Sequence, residues 1–252
     1  MFRQQLTKKR PQDETAFRWR GHEISRIEGL SDAVFAFAVT LLVVSLEVPK
    51  TFDELTEIMR GFGAFAISFA LLFLVWFNHY KYFRRYGLQD NTTVVLSGVL
   101  LFVVLFYVYP LKFLFSHLVD RFTGGHGEVR LPNGNVEAVI EHDQMGSLML
   151  IFDVGYLAVF AVFVFLFWHA YRKRKELELN ELEIFDTRNS IQESALNCGI
   201  ALLSMFIVLF GGSRYAGFAG LVYMLTGVVM GTNGVLMRKR RDRMAREFAA
   251  ND

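Results

Sequence analysis

The heptapeptide RIEGLSD at residues 26–32 runs directly into the apolar stretch AVFAFAVTLLVVSL at residues 33–46. An arginine, a serine and an aspartate thus stand at the start of a segment long enough to cross a membrane. An ionisable side chain inside such a segment costs about 2.5–3.5 kcal/mol on insertion scales. We therefore expect Asp32 to be paired and to serve the protein's function.

Five further apolar runs follow, and the composition of the whole chain agrees with a membrane protein. The chain has 53% hydrophobic residues, 26 Phe in 252 positions and a mean hydropathy of +0.30, which is typical of a polytopic membrane protein. The expected fold is all-α with six transmembrane helices near residues 30–48, 60–78, 93–115, 146–169, 192–210 and 215–237. The short connection GGSR at residues 211–214 predicts that spans five and six form an antiparallel hairpin. No small-residue cleavage pattern closes the first run, so we expect it to be retained.

The distribution of positive charge predicts the orientation. The arm up to Arg26, the 79–91 and 170–189 connections and the tail from Arg238 hold 21 of the 27 Lys and Arg residues. By the positive-inside rule both termini are cytoplasmic, in a multi-pass protein of the cell membrane. Basic clusters beside a span favour anionic lipid headgroups as partners, and we expect no nucleic acid.

This pattern divides the chain into a basic arm at 1–28, a six-helix membrane domain at 29–237 and a basic tail at 238–252. Within the domain, the external loop 116–145 contains the turn signal PNG at 132–134, which predicts a small β-hairpin. The segment 172–188 is predicted to be a polar helix that continues span four into the cytoplasm. The single cysteine, Cys198, is expected to be a packing residue inside a span.

Catalytic motifs are missing from the sequence. It contains no nucleophile elbow, zinc-binding helix, phosphate-binding loop or dinucleotide fingerprint, so we expect no enzyme activity. The tetrapeptide DVGY at 153–156 resembles part of a potassium selectivity filter. A filter is non-helical backbone around a water-filled pore, whereas this tetrapeptide lies within a continuous apolar run, so we interpret it as helix interior.

The first span presents two different faces when it is drawn as a helix. One stripe, at the i, i+4, i+7, i+11 and i+14 positions, holds Ala33, Phe37, Thr40, Val44 and Glu47. Asp32 lies on another face with Phe35, Ala36, Val39 and Val43, which is available to pack on other spans. The alternative is that Thr40 bonds only its own helix backbone and that the stripe faces lipid or core.

The opening heptapeptide also resembles a known family. Arg26-x-x-x-Leu30-Ser31-Asp32 is similar to the signature Arg-x-x-x-Phe-Ser-Asp of the transmembrane protein 175 family. Trp76-x-x-His79 and Asn91 resemble the polar residues that accompany this signature. The prokaryotic members are six-span potassium channels, and the animal members are lysosomal channels with two such repeats.

The resemblance implies a homotetramer whose pore is lined by the first spans and which lacks a re-entrant filter loop. Thr40 matches the pore-lining threonine associated with cation selectivity, so K⁺ is expected to be held transiently near it, without any cofactor. Phe37 matches the hydrophobic gate, and we assign Ala33 and Val44 to the same constriction. Glu47 would concentrate cations at the outer mouth. The chain departs from the pattern at Leu30, where phenylalanine is usual, and at Phe37, where isoleucine or leucine is typical.

A polar network is expected to fix the first helix near the cytoplasmic ends of the first three spans, formed by Arg26, Ser31, Asp32, Trp76, His79 and Asn91. The function predicted from this set is a potassium-selective or potassium-preferring channel. The alternative is a proton-coupled transporter or proton-conducting channel that uses Asp32 and His79. Transporters usually show paired repeats and interrupted helices at the midplane, whereas Pro49 and Pro110 lie near span ends.

Overall fold

The computed structural model describes residues 17–44, 50–122, 128–130, 136–138, 140–141 and 143–251. Eight α-helices, one 3₁₀ turn and two short strands make up the described fold. In chain order they are α1 (Arg26–Val44), α2 (Phe52–Arg60), α3 (Phe62–Tyr86), α4 (Asn91–Phe122), β1 (Glu128–Arg130), β2 (Val136–Ala138), α5 (Gln144–Arg172), α6 (Glu181–Gly211), the 3₁₀ turn (Ser213–Tyr215), α7 (Ala216–Val222) and α8 (Leu225–Asn251).

The predicted membrane spans correspond to these helices. Within the described residues, five helical segments are long and apolar enough to cross a bilayer, namely 62–86, 91–121, 144–172, 181–211 and 213–247. The first predicted span corresponds to α1, which has 19 residues up to Val44. Its expected continuation through residues 45–48 lies outside the described residues. The all-α membrane fold with five to six spanning helices is therefore confirmed.

The helices pack as a bundle in which neighbours along the chain are also neighbours in space. α5 packs along α6, α4 contacts α5, and α1 packs against both α3 and α4. The main hydrophobic core combines aliphatic and aromatic side chains, with Tyr82, Phe83, Tyr86 and Phe163 almost fully buried. α6 packs against α7 and α8, which confirms the predicted hairpin of spans five and six.

The loop between α4 and α5 contains the β-hairpin that the turn signal predicted, although α4 continues to Phe122 and so includes the first residues of the predicted 116–145 loop. β1 pairs with β2 in antiparallel register, with Val129 opposite Glu137. The turn itself falls in 131–135, outside the described residues. A two-stranded hairpin of this size is only marginally stable on its own, so it does not form a second hydrophobic core beside the helical bundle.

The predicted helical extension of span four is wrong. α5 ends at Arg172, and the chain reverses through Glu178, which has a positive φ of 47°. Asn180 then caps α6, because its side chain accepts a hydrogen bond from the Glu183 amide at 2.8 Å while the Glu183 carboxylate accepts one from the Asn180 amide at 3.1 Å. Residues 181–188 therefore begin the next helix.

Three other differences concern the number and extent of the helices. The last span is interrupted at Tyr223–Met224 between α7 and α8. The basic tail is not separate, since α8 continues to Asn251. The short helix α2, which the apolar runs did not predict, precedes α3.

The end of the basic arm docks on the bundle. The Arg20 guanidinium lies 2.6 Å from the Glu183 carboxylate, and the Arg18 amide donates to the same carboxylate at 2.8 Å. The amides of Arg20 and Gly21 both donate to the Arg84 carbonyl. A side chain at Gly21 would place its Cβ 2.4 Å from the Phe83 carbonyl oxygen, so this close approach requires glycine.

Candidate ion pathway

The start of α1 is fixed by reciprocal hydrogen bonds. The Glu28 amide donates to the Ser25 hydroxyl at 3.2 Å, and the Ser25 amide approaches the Glu28 carboxylate at 3.4 Å, which forms a capping box. The same carboxylate lies 3.1 Å from the Arg84 guanidinium at the end of α3. Both partners are largely buried, so the pair ties the first turn of α1 to α3.

One turn further along α1, Asp32 contacts α3. The Trp76 indole N–H donates to the Asp32 carboxylate at 2.8 Å. Asp32 itself is exposed within the single chain, and Trp76 is half-buried. Trp76 belongs to a row of rings on α3 in which it packs against Phe73 and Tyr80. The hydrogen bond therefore links α1 to the row of aromatic rings on α3.

His79 lies deeper, between α3 and α4. Its ring is almost fully buried, and Nε2 lies 3.3 Å from the Ser97 hydroxyl; the roles of donor and acceptor depend on the histidine tautomer. The ring also packs against Phe83, with centroids 4.8 Å apart, and near Phe35 of α1. His79 thus joins three helices without a hydrogen bond to Asp32.

The expected network is therefore not a single cluster within the described chain. Trp76 and Asp32 meet, and His79 pairs with Ser97. Arg26 and Asn91 are exposed and form neither an ion pair nor a hydrogen bond with the other described side chains of the set. The buried Ser31 hydroxyl donates to its own helix, at the Ile27 carbonyl.

Asp90, which precedes Asn91, was not among the predicted site residues. Its carboxylate accepts a hydrogen bond from the Thr93 amide at 3.1 Å and lies 2.6 Å from His169 Nε2 and 3.2 Å from the Lys173 ammonium. Burial alone would raise the pKa of the Asp90 carboxyl, but the hydrogen bonds from Thr93, His169 and Lys173 outweigh it and hold the pKa below its usual range. An aspartate just before an apolar run is a helix N-cap signal that predicts part of this arrangement.

Asp153, the acid of the rejected filter motif, lies inside α5 and is fully buried. Its carboxylate accepts hydrogen bonds from the Ser204 hydroxyl at 3.0 Å and the Tyr223 hydroxyl at 2.7 Å. The interpretation of DVGY as helix interior is confirmed. Asp153 additionally joins α5 to α6 and to the interruption before α8.

The faces of α1 differ in their packing. Ser31, Phe35, Ala38 and Leu42 are buried against α3 and α4. On the opposite side, Ala33, Phe37 and Thr40 are exposed, with Phe37 at 56%. The chain on its own therefore leaves the predicted stripe uncovered. Ala36 and Val43, which were expected to pack with the Asp32 face, are exposed as well.

Thr40 occupies the middle of the uncovered stripe. Its hydroxyl donates to the Ala36 carbonyl at 3.0 Å, as the helix-backbone alternative expected. A hydroxyl that has donated its proton still offers oxygen lone pairs, so this bond leaves Thr40 able to accept from water or to coordinate a cation. Glu47 and the side chain of Val44 lie outside the described residues.

The C-terminal part of α1 is held by a lysine of α4. The Lys112 ammonium donates to the Leu42 carbonyl at 2.7 Å. Lys112 was not among the predicted site residues, because an isolated lysine in an apolar run carries no spacing signal. The contact fixes the helix beyond Thr40.

Comparisons with known proteins identify relatives for this arrangement. The family model for the endosomal/lysosomal potassium channel TMEM175 matches residues 26–107. A potassium channel of Marivirga tractuosa is 40% identical over 234 residues, which cover 92% of this chain and 94% of that protein. A potassium channel of Chamaesiphon minutus is 33% identical over 105 residues, or 38% of this chain and 52% of that protein.

Two solved structures share the fold. The crystal structure of a variant of the potassium channel MtTMEM175, in complex with a nanobody–MBP fusion, has a TM-score of 0.75 and 40% identity; the match covers 92% of this chain and 99% of that one. A lysosomal potassium-selective channel TMEM175 homologue from Chamaesiphon minutus has a TM-score of 0.52 and 23% identity, covering 86% and 96% of the two chains. The second likeness concerns the fold alone.

Proposed function

Because this chain belongs to the transmembrane protein 175 family, whose members are ion channels and not enzymes, we propose that it forms a homotetrameric potassium-preferring channel lined by α1. The observation that carries this proposal is the one-sided packing of α1. Its inner face is buried by α3 and α4, while the stripe of Ala33, Phe37 and Thr40 is left uncovered. Four copies around an axis would cover that stripe and enclose a path.

Along this path the side chains have different tasks. Four Phe37 rings, with Ala33 and Val44 on either side, form a dry constriction that resists ions by dewetting. Four Thr40 hydroxyl oxygens replace part of the hydration shell of a passing K⁺ without adding formal charge. Glu47 attracts cations to the outer mouth. Asp32, with Trp76, positions α1 and does not coordinate the ion.

The orientation that we propose places both termini in the cytoplasm of a cell-membrane protein. The docked arm, the end of α3 and the connection before α6 meet at one end of the bundle, through Arg20, Glu183 and Arg84. The positive-inside rule favours the cytoplasmic side for an end that carries such basic residues, and this supports the proposed orientation.

The proton-coupled alternative receives less support from the geometry. That alternative uses Asp32 and His79, whereas the Asp32 carboxylate accepts a hydrogen bond from Trp76 and the His79 ring lies beside the Ser97 hydroxyl. No described hydrogen bond joins the two groups.

The test is electrical recording from liposome-reconstituted protein, with potassium on one side and sodium on the other. We expect uncoupled current with a reversal potential that favours potassium. Thr40→Ala should shift that potential toward zero, because it removes the hydroxyl ring. The matched control is Thr232→Ala on α8, since Thr232 is also exposed and also bonds its own helix backbone.

Gradient-coupled exchange in place of current would refute the channel. An unchanged reversal potential in Thr40→Ala, or an equal shift in Thr232→Ala, would exclude Thr40 as the selectivity residue.

A further inference from the structure

A cavity of about 420 Å³ lies between α3, α4, α5, α6 and α8. Its body is apolar, and its walls include Leu72, Val104, Val108, Val159 and Phe160. The volume falls within the usual range of ligand sites in proteins. No residue of α1 whose side chain the structure describes lines it, so the cavity is distinct from the proposed ion path.

One end of the cavity is polar and charged. Arg85 of α3 donates to the Ser190 hydroxyl at 3.3 Å, and its guanidinium stacks on the Phe17 ring at 4.9 Å. On α6, the Glu193 carboxylate accepts a hydrogen bond from the side-chain amide of Asn189 at 3.0 Å. These groups already have protein partners.

Lys81 is different. Among the residues that the structure describes, its ammonium has no hydrogen bond or ion pair, and its contact is with the Phe77 ring, 5.1 Å from the centroid. Glu193 lines the same cavity but does not come within ion-pair distance of Lys81. Two cations thus face one carboxylate, and one of the cations retains all three N–H donors.

We infer that this cavity binds an anionic phospholipid, with an acyl chain in the apolar body and the phosphate at Lys81 and Arg85. Basic pockets between membrane helices on the cytoplasmic side favour anionic headgroups, and each buried methylene adds to the binding. Both cations lie in the last turns of α3, the end that the charge distribution assigns to the cytoplasm. Lipid binding to this site can be measured directly, so the result does not depend on whether the protein conducts ions.

The experiment is native mass spectrometry of the delipidated full chain, titrated with phosphatidylglycerol, with phosphatidylcholine of the same acyl chains, and with inorganic phosphate. We expect phosphatidylglycerol to bind more tightly than phosphatidylcholine. Lys81→Gln should weaken phosphatidylglycerol binding by about fivefold, the effect of one basic residue, and leave phosphatidylcholine unchanged. Lys175→Gln, an exposed lysine outside the cavity, is the matched control.

A second variant tests the apolar body. Val75→Trp fills the cavity and should weaken both lipids, whereas Val95→Trp, on the exposed surface of α4, should weaken neither. Photolabelling of the unaltered protein with a diazirine phosphatidylglycerol should place adducts on the α3 and α6 walls, which requires no variant to fold.

Equal affinity for the two lipids, or an unchanged preference in Lys81→Gln, would overturn the inference. So would unchanged binding in Val75→Trp, or adducts confined to outward-facing residues such as Phe102. Phosphate binding alone, with the same dependence on Lys81, would identify a free-anion site instead of a lipid site.

Discussion

The Arg84 guanidinium lies 3.1 Å from the Glu28 carboxylate and joins the end of α3 to the first turn of α1. The two side chains are only 16% and 6% exposed. The same arginine donates to the Gly21 carbonyl at 2.8 Å and so also holds the docked arm. Glu28 is favourably placed besides, because the N-terminus of a helix carries partial positive charge. This ion pair fixes where the proposed pore helix begins.

We expect Arg84→Gln to destabilise the protein strongly. Removing one partner of a buried ion pair leaves the other uncompensated, at a cost of about 3–5 kcal/mol. The measurement is thermal unfolding in detergent, followed by size-exclusion chromatography. Arg243→Gln, on the exposed end of α8, is the control that removes the same charge. Equal stability of the two variants would mean that the Glu28–Arg84 pair does not anchor α1.

Phe37→Ala is expected to raise basal conductance, because a smaller side chain widens and wets the constriction. Single-channel recording measures the effect. Phe102→Ala is the matched control, since Phe102 is also strongly exposed but belongs to α4 and not to the stripe of α1. If conductance stays fixed in Phe37→Ala and rises in Val44→Ala, the gate lies further out along the helix.

Substitutions at Asp32 test whether the first helix is held by a hydrogen bond or by an ionic interaction. Its observed partner is Trp76 rather than Arg26, and an asparagine oxygen still accepts from an indole N–H. We therefore expect Asp32→Ala to lower the fraction of assembled protein more than Asp32→Asn does. The expected difference in the free energy of assembly is roughly 1 kcal/mol, the contribution of one lost hydrogen bond. Size-exclusion chromatography gives this fraction. A normally assembled Asp32→Ala variant with altered ion selectivity would instead place Asp32 in the ion path.

We expect Asp90 to make the stability of the folded protein depend on pH in the acidic range. The folded-state pKa of its carboxyl is lowered relative to the unfolded value near 3.8, so its contribution is present above that pH and is lost as the pH falls toward the folded pKa. We expect Asp90→Asn to be less stable than the natural protein at neutral pH, with the difference shrinking below about pH 4. Unfolding curves between pH 3 and pH 7 check this, with the exposed Asp242→Asn as control. A difference that does not change over this range would contradict it.

Helix placement followed from the sequence because apolar runs of membrane length have one stable form in lipid, the hydrogen-bonded helix. The turn signal between α4 and α5 predicted the paired strands for a similarly local reason, since turn residues set hairpin geometry. The start of α6 was also encoded locally, in Asn180 and Glu183, although residues 172–188 were predicted to continue span four. The stripe of α1 followed from helical periodicity alone.

Pairing between distant residues was decided only by the tertiary structure. Glu28 meets Arg84, and His79 meets Ser97, at sequence separations that no periodicity relates. Arg26 stands closer to Asp32 in the sequence than Trp76 does, yet Trp76 is its partner, because the packing of α1 on α3 determines which side chains come within hydrogen-bond distance. Sequence patterns specify which face of a helix is apolar, whereas the choice of neighbour depends on how all the helices bury their surfaces together.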